Sequence, residues 1–376
     1  MRIRHIEPIP LRYPIPGGAY GSARGMTPAR VTTLVRLESD EGLVGLGEAV
    51  GPPLVVAAQV RELAPLFAGQ DPFDWEVIWS RALNGMYHWS RSGILVGALS
   101  GIEIACWDLM GKAVELPAAK LLGGWNRDSV PLYASTGYFT EQPGGYRALL
   151  EAVAAEGHKR LKIKIGDGIA SDLERIALAV EIVGPGAELM VDVNGNYTAD
   201  LALRLAAELD PRRVLWLEEP LPPEDLAGYQ RLRDGTSIPL AAGEAEALRL
   251  GFRELISRRL LDVVQPDITS CGGLGEAKAI VRMAQSWNLR FSPHVWGGAV
   301  ALAAALQLCA AVAPYPHVAR EAAPIYLEYD RGPNALREEL ATAPFVIEGD
   351  RVRVPTGPGL GIELDWDAVA RYRIAG

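Results

Sequence analysis

Seven ionisable residues recur through the middle and last third of the chain at a nearly constant pitch: Lys164, Asp192, Glu218, Glu244, Asp267, His294 and Glu328. By subtraction the intervals are 28, 26, 26, 23, 27 and 34 residues, about one strand plus one helix each. Each residue ends a short apolar run of strand character. That pattern constrains the fold to a (β/α) barrel whose strands each deliver one polar side chain to a common rim, the C-terminal rim where barrel active sites lie.

The surrounding sequence agrees with a parallel barrel. From Ser129 onward, short apolar runs alternate with amphipathic helical stretches: Val130–Ala134, Leu161–Ile165, Glu188–Val193, Val214–Leu217, Pro239–Ala242, Leu261–Gln265 and Arg290–Ser292. Ahead of them, Thr32–Glu38 and Leu43–Glu48 read as a hairpin, and Ile94–Lys112 repeats apolar residues at helical spacing. The expected organisation is an α+β domain over residues 1–126, a barrel over 127–340, and a Gly/Pro-rich tail over 341–376 that folds back onto the N-terminal domain. Within that tail, Phe345–Val354 reads as strand-like, turning at Glu348, Gly349 and Asp350. The segment Pro14–Pro28, rich in glycine, reads either as a linker or as a mobile lid over the barrel mouth.

A chain of 376 residues with 49% hydrophobic content can bury a core of that size. Its net charge of −9 argues against nucleic acid or an anionic membrane as partner. Any anionic substrate then needs a local positive site or a metal ion. Three cysteines in no ligand spacing indicate neither disulfides nor zinc, and a reducing cytoplasm is the expected setting. Met1–Leu11 lacks a signal-peptide core. The most apolar stretch, Gly298–Pro314, is too short to span a bilayer and reads as a buried barrel helix.

Asp192, Glu218 and Glu244 end three successive strands, in VDVN, LEEP and AGEA. Three carboxylates at one level repel unless a hard cation sits among them, and Mg²⁺, with Mn²⁺ as substitute, suits an all-oxygen set with open positions. Lys162 and Lys164 flank Ile163, and strand alternation points both to one side. Mutual repulsion in a buried setting is expected to lower both pKa values and let a lysine accept a proton near neutral pH. His294, in SPHVWG, follows a later strand, and Asp267 in VVQPD is placed to fix its tautomer and raise its basicity. Lysine and histidine would then face each other across the metal. Glu328 in LEYD ends a further apolar run and reads as a protonated acid able to bond an enolate oxygen; Glu321 in AREA competes for that role.

The KIK strand, the Asp, Glu, Glu set, the Asp/His pair and a later Glu, in that order, resemble the enolase superfamily, mandelate racemase subgroup, over essentially the whole chain. The muconate-lactonizing branch would place a second lysine near the sixth strand end and usually Asp as third ligand. Here Asp267 and Glu244 stand there. The resemblance implies a capping domain, formed by the N-terminal part and the tail, on a modified (β/α)7β barrel, and a homo-oligomer. It implies Lys164 as one general base, Lys162 assisting and touching the substrate carboxylate, and His294, oriented by Asp267, as the opposite acid/base. The metal would bind the substrate carboxylate and stabilise the enediolate formed on loss of the α-proton. Asn194 resembles an additional polar contact of the family. The stretches LSGIEIACWDLMGK, QPDITSCGG, PHVWG and GPGLGIELD are similar to those of sugar-acid dehydratases and galactarolactone cycloisomerases.

The implied reaction on a small carboxylate substrate is β-elimination, with racemisation or epimerisation as the alternative. A Schiff-base lyase and a non-catalytic acid-sugar binding protein are the remaining readings. Specificity is expected from the cap loops, Tyr20–Met26 and Ala49–Pro53, and from Tyr138 and Trp296 on the rim. Arg24 reads either as the partner of a distal substrate carboxylate or as a solvated loop residue.

Overall fold

The computed structural model describes residues 1–315 and 323–375. The N-terminal part builds an antiparallel sheet of β1 (Ile3–Pro14), β4 (Ala29–Ser39) and β5 (Val44–Ala49), in the order β1-β4-β5. Between the first two of these strands lie the short β2 (Tyr20–Ser22) and β3 (Gly25–Thr27). Two helices, α1 (Pro53–Phe67) and α3 (Ile94–Ala113), cover one face of the sheet, and α2 (Trp75–Gly85) packs against these helices. Strand β5 lies directly on α3 because Gly45 and Gly47 have no side chains. A Cβ at these positions would meet the carbonyl oxygens of Ala105 and Gly101 at 2.2 and 1.8 Å. Helix α3 is long and apolar enough to cross a membrane, yet 83% of that stretch is buried inside the protein, as a core helix is.

A one-turn helix α4 (Ala118–Leu121) leads into β6 (Ser129–Thr136). After β7 (Phe139–Thr140), helices and strands alternate: α5 (Gly145–Ala155), β8 (Arg160–Lys164), α6 (Ile169–Val183), β9 (Glu188–Asp192), α7 (Ala199–Glu208), β10 (Val214–Glu218), α8 (Leu226–Gly235), β11 (Leu240–Ala242). The series continues with α9 (Leu248–Ser257), β12 (Val263–Val264), α10 (Leu274–Ser286), β13 (Arg290–Phe291), α11 (Ala299–Ala311) and β14 (Leu327–Asp330). Strands β6 and β8 to β13 pair in parallel in sequence order, and β14 pairs in parallel with the free side of β6. This is an α/β, barrel-like domain beneath an N-terminal cap. Its register sets the site: Lys164 pairs with Asp192, and Asp192 with Glu218, so three strand-end residues lie at one level.

The chain ends with α12 (Ala335–Glu338), the hairpin β15 (Ile347–Glu348) and β16 (Arg351–Arg353), and α13 (Trp366–Tyr372). The hairpin pairs with the start of β6 rather than with the N-terminal sheet. Only the later tail returns to that sheet, through a bridge between Leu11 and Arg373 and a bond from the Ile374 N–H to the Pro10 carbonyl.

Every residue of α11 is buried, so its N-terminal N–H groups cannot reach water. Glu48, at the end of β5 and fully buried, supplies the acceptors. Its Oε1 takes the Gly298 N–H at 2.5 Å and the Thr32 hydroxyl at 2.8 Å, and its Oε2 takes the Ala301 N–H at 2.8 Å. One carboxylate of the cap thus terminates a barrel helix. Glu48→Ala is expected to cost about 1–3 kcal/mol of stability by orphaning these donors, read as a lower urea midpoint at unchanged slope; a midpoint equal to wild type would contradict the assignment.

Candidate active site

Strand alternation on β8 sends Lys162 and Lys164 to the interior, as the sequence predicts, and both are buried. Lys164 Nζ lies 2.6 Å from Asp192 Oδ2. Lys162 Nζ lies 2.5 Å from Glu218 Oε1, 2.8 Å from Glu328 Oε1 and 3.5 Å from Asp192 Oδ2. These neighbours reverse the expected pKa direction. Burial lowers both lysines, and so does their mutual repulsion at Lys164, but Glu218 and Glu328 around Lys162, and Asp192 beside Lys164, outweigh it and hold both above the ordinary lysine value. The same contacts leave Lys162 wholly enclosed by carboxylates rather than open to a substrate.

Glu328 also differs from expectation. Burial pushes its carboxyl up, but Lys162, then His294 and Lys164, prevail and bring it down to about 2. It is an ionised partner of Lys162 that also accepts the Val295 N–H at 3.1 Å, not a protonated acid. Glu321 lies outside the described residues.

Across the cluster, Asp267 and His294 form a parallel bridge, with His294 Nδ1 2.6 Å from Asp267 Oδ2. The other Asp267 oxygen accepts the Thr269 N–H at 2.7 Å and its hydroxyl at 2.5 Å, which fixes the carboxylate and, through it, the ring. His294 Nε2 is left facing Glu244 Oε2 at 3.3 Å and Glu328 Oε2 at 4.0 Å. Burial lowers the imidazole pKa, but Glu244, Glu328 and Asp267 together raise it to about 10.

Between the lysine and the histidine, Asp192, Glu218 and Glu244 each offer an oxygen, all within 4.8 Å of one another. The donor set fits a divalent oxygen-seeking cation: all carboxylate, two members buried, and too much negative charge for the two lysines alone to balance. Glu218 is held from behind by the Trp216 indole N–H at 2.8 Å and the Gln265 amide at 2.9 Å. The sequence reading missed Glu219, the second acid of LEEP. It is buried with φ of 38°, and burial followed by Glu244 and Asp192 raises its carboxyl well above the ordinary value. The doublet was its only signal.

The rim residues are arranged differently from the sequence reading. Asn194, at φ 50°, donates its N–H to Asp192 Oδ1 at 2.9 Å, and its own Oδ1 is buried with no partner among the described residues. Arg24 is turned onto the backbone: its guanidinium donates to the carbonyls of Asn194 and of Gly195, the latter at 3.0 Å. It is not free for a distal carboxylate. The segment Pro14–Pro28, expected as a linker or a lid, contains the β2–β3 hairpin, which joins β7 in a small sheet. Gly21 permits this, since a Cβ there would lie 2.0 Å from the Gly25 carbonyl oxygen.

Tyr20 and Tyr138 do not line an open rim either. Tyr138 donates to Asp330 Oδ1 at 2.6 Å, and Arg30, which the sequence reading passed over, lies 3.2 Å from Asp330 Oδ2. Arg30 also donates to the Tyr20 hydroxyl at 3.0 Å and stacks 3.6 Å above the Trp296 ring, whose indole N–H points to Tyr138 at 3.3 Å. This buried hub ties the base of the β2–β3 hairpin to the end of β14 and to the segments that follow β6 and β13.

Arg24 at the tip and the hub at the base hold the hairpin down. Arg24→Ala is expected to raise KM about three- to tenfold, equally for monoacid and diacid substrates. Steady-state kinetics on such a pair checks this, and a loss confined to the diacid would contradict it.

Comparison with known proteins agrees with this geometry. Residues 20–123 match the mandelate racemase / muconate lactonizing enzyme N-terminal domain, and residues 145–368 match the enolase C-terminal domain-like family. The chain is 39% identical over 349 residues to a D-galactarolactone cycloisomerase of Agrobacterium fabrum, covering 92% of each. It is 33% identical over 343 residues to a D-galactonate dehydratase of Ralstonia nicotianae, covering 88% of each. Among solved structures, the 3,6-anhydro-D-galactonate cycloisomerase of Zobellia galactanivorans superposes with a TM-score of 0.88 at 33% identity, over the whole of both chains. Family, fold and strand-end chemistry therefore converge, and the chain belongs to the mandelate racemase / muconate lactonizing enzyme family of the enolase superfamily.

Proposed function

We propose that this enzyme removes the proton α to the carboxylate of a sugar acid or its lactone and then eliminates a β-oxygen leaving group. The observation that carries the reading is that two proton-transfer groups abut one carboxylate cluster from different strands: Lys164 Nζ is 2.6 Å from Asp192, and His294 Nε2 is 3.3 Å from Glu244. In this reading the domain boundaries are those expected from the sequence, and seven strand–helix units plus β14 make a (β/α)7β barrel. The family resemblance also supports a homo-oligomeric assembly, and the cysteine usage supports a cytoplasmic setting.

Asp192, Glu218 and Glu244 would hold Mg²⁺, or Mn²⁺ in its place. Bound there, the ion would supply Lewis-acid stabilisation of negative charge on the substrate carboxylate. Lys162 balances Glu218 and Glu328 from below and keeps the first of these in position. A divalent cation there would offset the carboxylates that hold Lys164 and His294 above their ordinary values, so that one of them could release its own proton and take that of the substrate, according to which face of the carbon presents it. The C–O bond at the β carbon then breaks with its electron pair leaving on oxygen, and the group opposite can deliver the proton that the leaving oxygen needs. A hydroxide leaving group gives dehydration; a lactone carboxylate gives ring opening. Asp267 holds His294 with Nδ1–H inward, leaving Nε2 to exchange protons with the substrate. Asn194, with its unpartnered amide oxygen, and Trp296 lie where substrate hydroxyl groups would approach.

The two-sided placement of Lys164 and His294 also serves racemisation or epimerisation, in which the second group returns a proton to the other face. A screen of sugar acids and lactones with Mg²⁺, read by 2-keto acid formation, separates the two. Keto-acid product supports elimination; exchange of the α-proton without keto acid would replace it by racemisation or epimerisation.

A further inference from the structure

The opposite end of the barrel carries a second feature that the proposed reaction does not use. A cavity of about 280 Å³ opens there, lined by the start of β6 at Pro131, the start of β13 at Arg290 and Phe291, and by Arg127 and Arg351. Arg290 opens the strand whose far end leads to His294, so the cavity and the candidate active site lie at opposite ends of the barrel. Three guanidinium groups line this space, and no Asp or Glu does among the described residues. In a chain of net charge −9 such a one-signed lining is not a general property of the surface.

Among the described residues none of the three arginines has an ion-pair partner. Arg127 donates to the Val312 carbonyl at 2.8 Å, and Arg351 to Ser129 Oγ and to the Ser129 carbonyl, each at 2.8 Å. The Arg290 side chain makes no hydrogen bond there. The acids nearby are committed elsewhere: Asp262 to Arg233 at 2.5 Å, and Glu188 and Asp350 to Arg160 at 2.8 and 3.6 Å. Burial pushes the Arg127 and Arg290 guanidinium groups down from their ordinary value; the Arg351 charge adds to the effect at Arg127, and Asp262 and Tyr326 oppose it at Arg290 without reversing it. Arg127 and Arg290 are half-buried and Arg351 is exposed, so an anion entering the cavity would meet three guanidinium groups, two of them already partly stripped of water.

We infer that this cavity binds a small oxyanion of two or more negative charges, held by Arg127, Arg290 and Arg351, with the amides of Gln285 and Asn288 at its wall. Planar guanidinium groups recognise phosphate and carboxylate oxygens equally well, as paired N–H donors. The shared chemistry is therefore a compact phosphate or dicarboxylate ligand. Occupancy would act on the barrel from the end remote from the reaction, so this inference is independent of the proposed function.

The test is isothermal titration of the full-length, EDTA-treated protein with pyrophosphate and, separately, malonate, each repeated at raised NaCl. One saturable site per chain, weakened at high salt and about tenfold or more in Arg290→Gln or Arg351→Gln, is the expected result. Binding of pyrophosphate alone assigns a phosphate source, and of malonate alone a carboxylate source. Arg351 is exposed, and thermal melts of its variant report whether folding is retained. Absence of saturable binding by either anion overturns the inference. So does an affinity unchanged in both arginine variants, or one lost as strongly in Lys164→Ala, which would place the anion at the other end of the barrel.

Discussion

Lys164→Ala is expected to lower kcat by about 10²- to 10⁴-fold, the range that a positioned acid or base supplies, with a much smaller change in KM. The lysine is buried, sits at the level of Asp192 on the adjoining strand, and among the described residues makes one close ion pair. It is thus held at the cluster without being wholly enclosed, as Lys162 is. His294→Asn is expected to cost a similar factor. The two variants should nevertheless differ by substrate face. For a substrate whose α-proton faces Lys164, the lysine variant should lose exchange of that proton with solvent altogether, while the histidine variant should keep exchange and lose product. Proton NMR in heavy water reads both, and equal loss of exchange in the two variants would contradict the division of labour.

Removal of the divalent ion is expected to have an effect at least as large. With EDTA, turnover should fall by about 10³-fold or more, since Lewis-acid stabilisation is worth several kcal/mol, and Mg²⁺ should restore it, with Mn²⁺ acting as substitute. Glu244→Gln should shift the Mg²⁺ dependence to higher concentrations, because the cluster loses one of its three charges. That variant also removes the carboxylate 3.3 Å from His294, so the imidazole pKa should fall. The sign follows from the direction of the shift. A histidine raised by neighbouring carboxylates contributes folding stability fully below its unfolded value of about 6.5. It loses that contribution as pH rises through its folded value of about 10. In metal-free protein the variant should therefore lose stability chiefly below that window. Turnover indifferent to EDTA would favour a Schiff-base lysine and sink the metal mechanism.

The strand-end residues were legible in the sequence because a barrel repeats, and the pitch of one strand plus one helix places Asp192, Glu218, Asp267 and His294 without any long-range information. What the pitch does not contain is who surrounds whom. The two lysines were expected to be depressed by each other, since they are neighbours in sequence. The three carboxylates that outweigh this repulsion, Asp192, Glu218 and Glu328, come from other strands. Glu328 itself read as a neutral acid for the same reason, with Lys162 out of view. Glu48, Arg30 and Asp330 left no local mark either. Glu48 acts on a helix about 250 residues later, and Arg30 meets Asp330 across the full length of the barrel. Arg24 read as a free cation because a backbone carbonyl acceptor has no signature in side-chain composition. The lid hairpin was passed over because glycine, which normally argues against strands, here allows the close approach of Gly21 to Gly25.

The most direct test of the central claim is to incubate the Mg²⁺-loaded enzyme in heavy water with the sugar acid or lactone found by screening, following the α-proton signal and 2-keto acid together. The account predicts loss of the α-proton, keto acid appearing in step with it, and neither event in EDTA. An unchanged α-proton during turnover would contradict proton abstraction by Lys164 or His294 as the basis of this enzyme's chemistry.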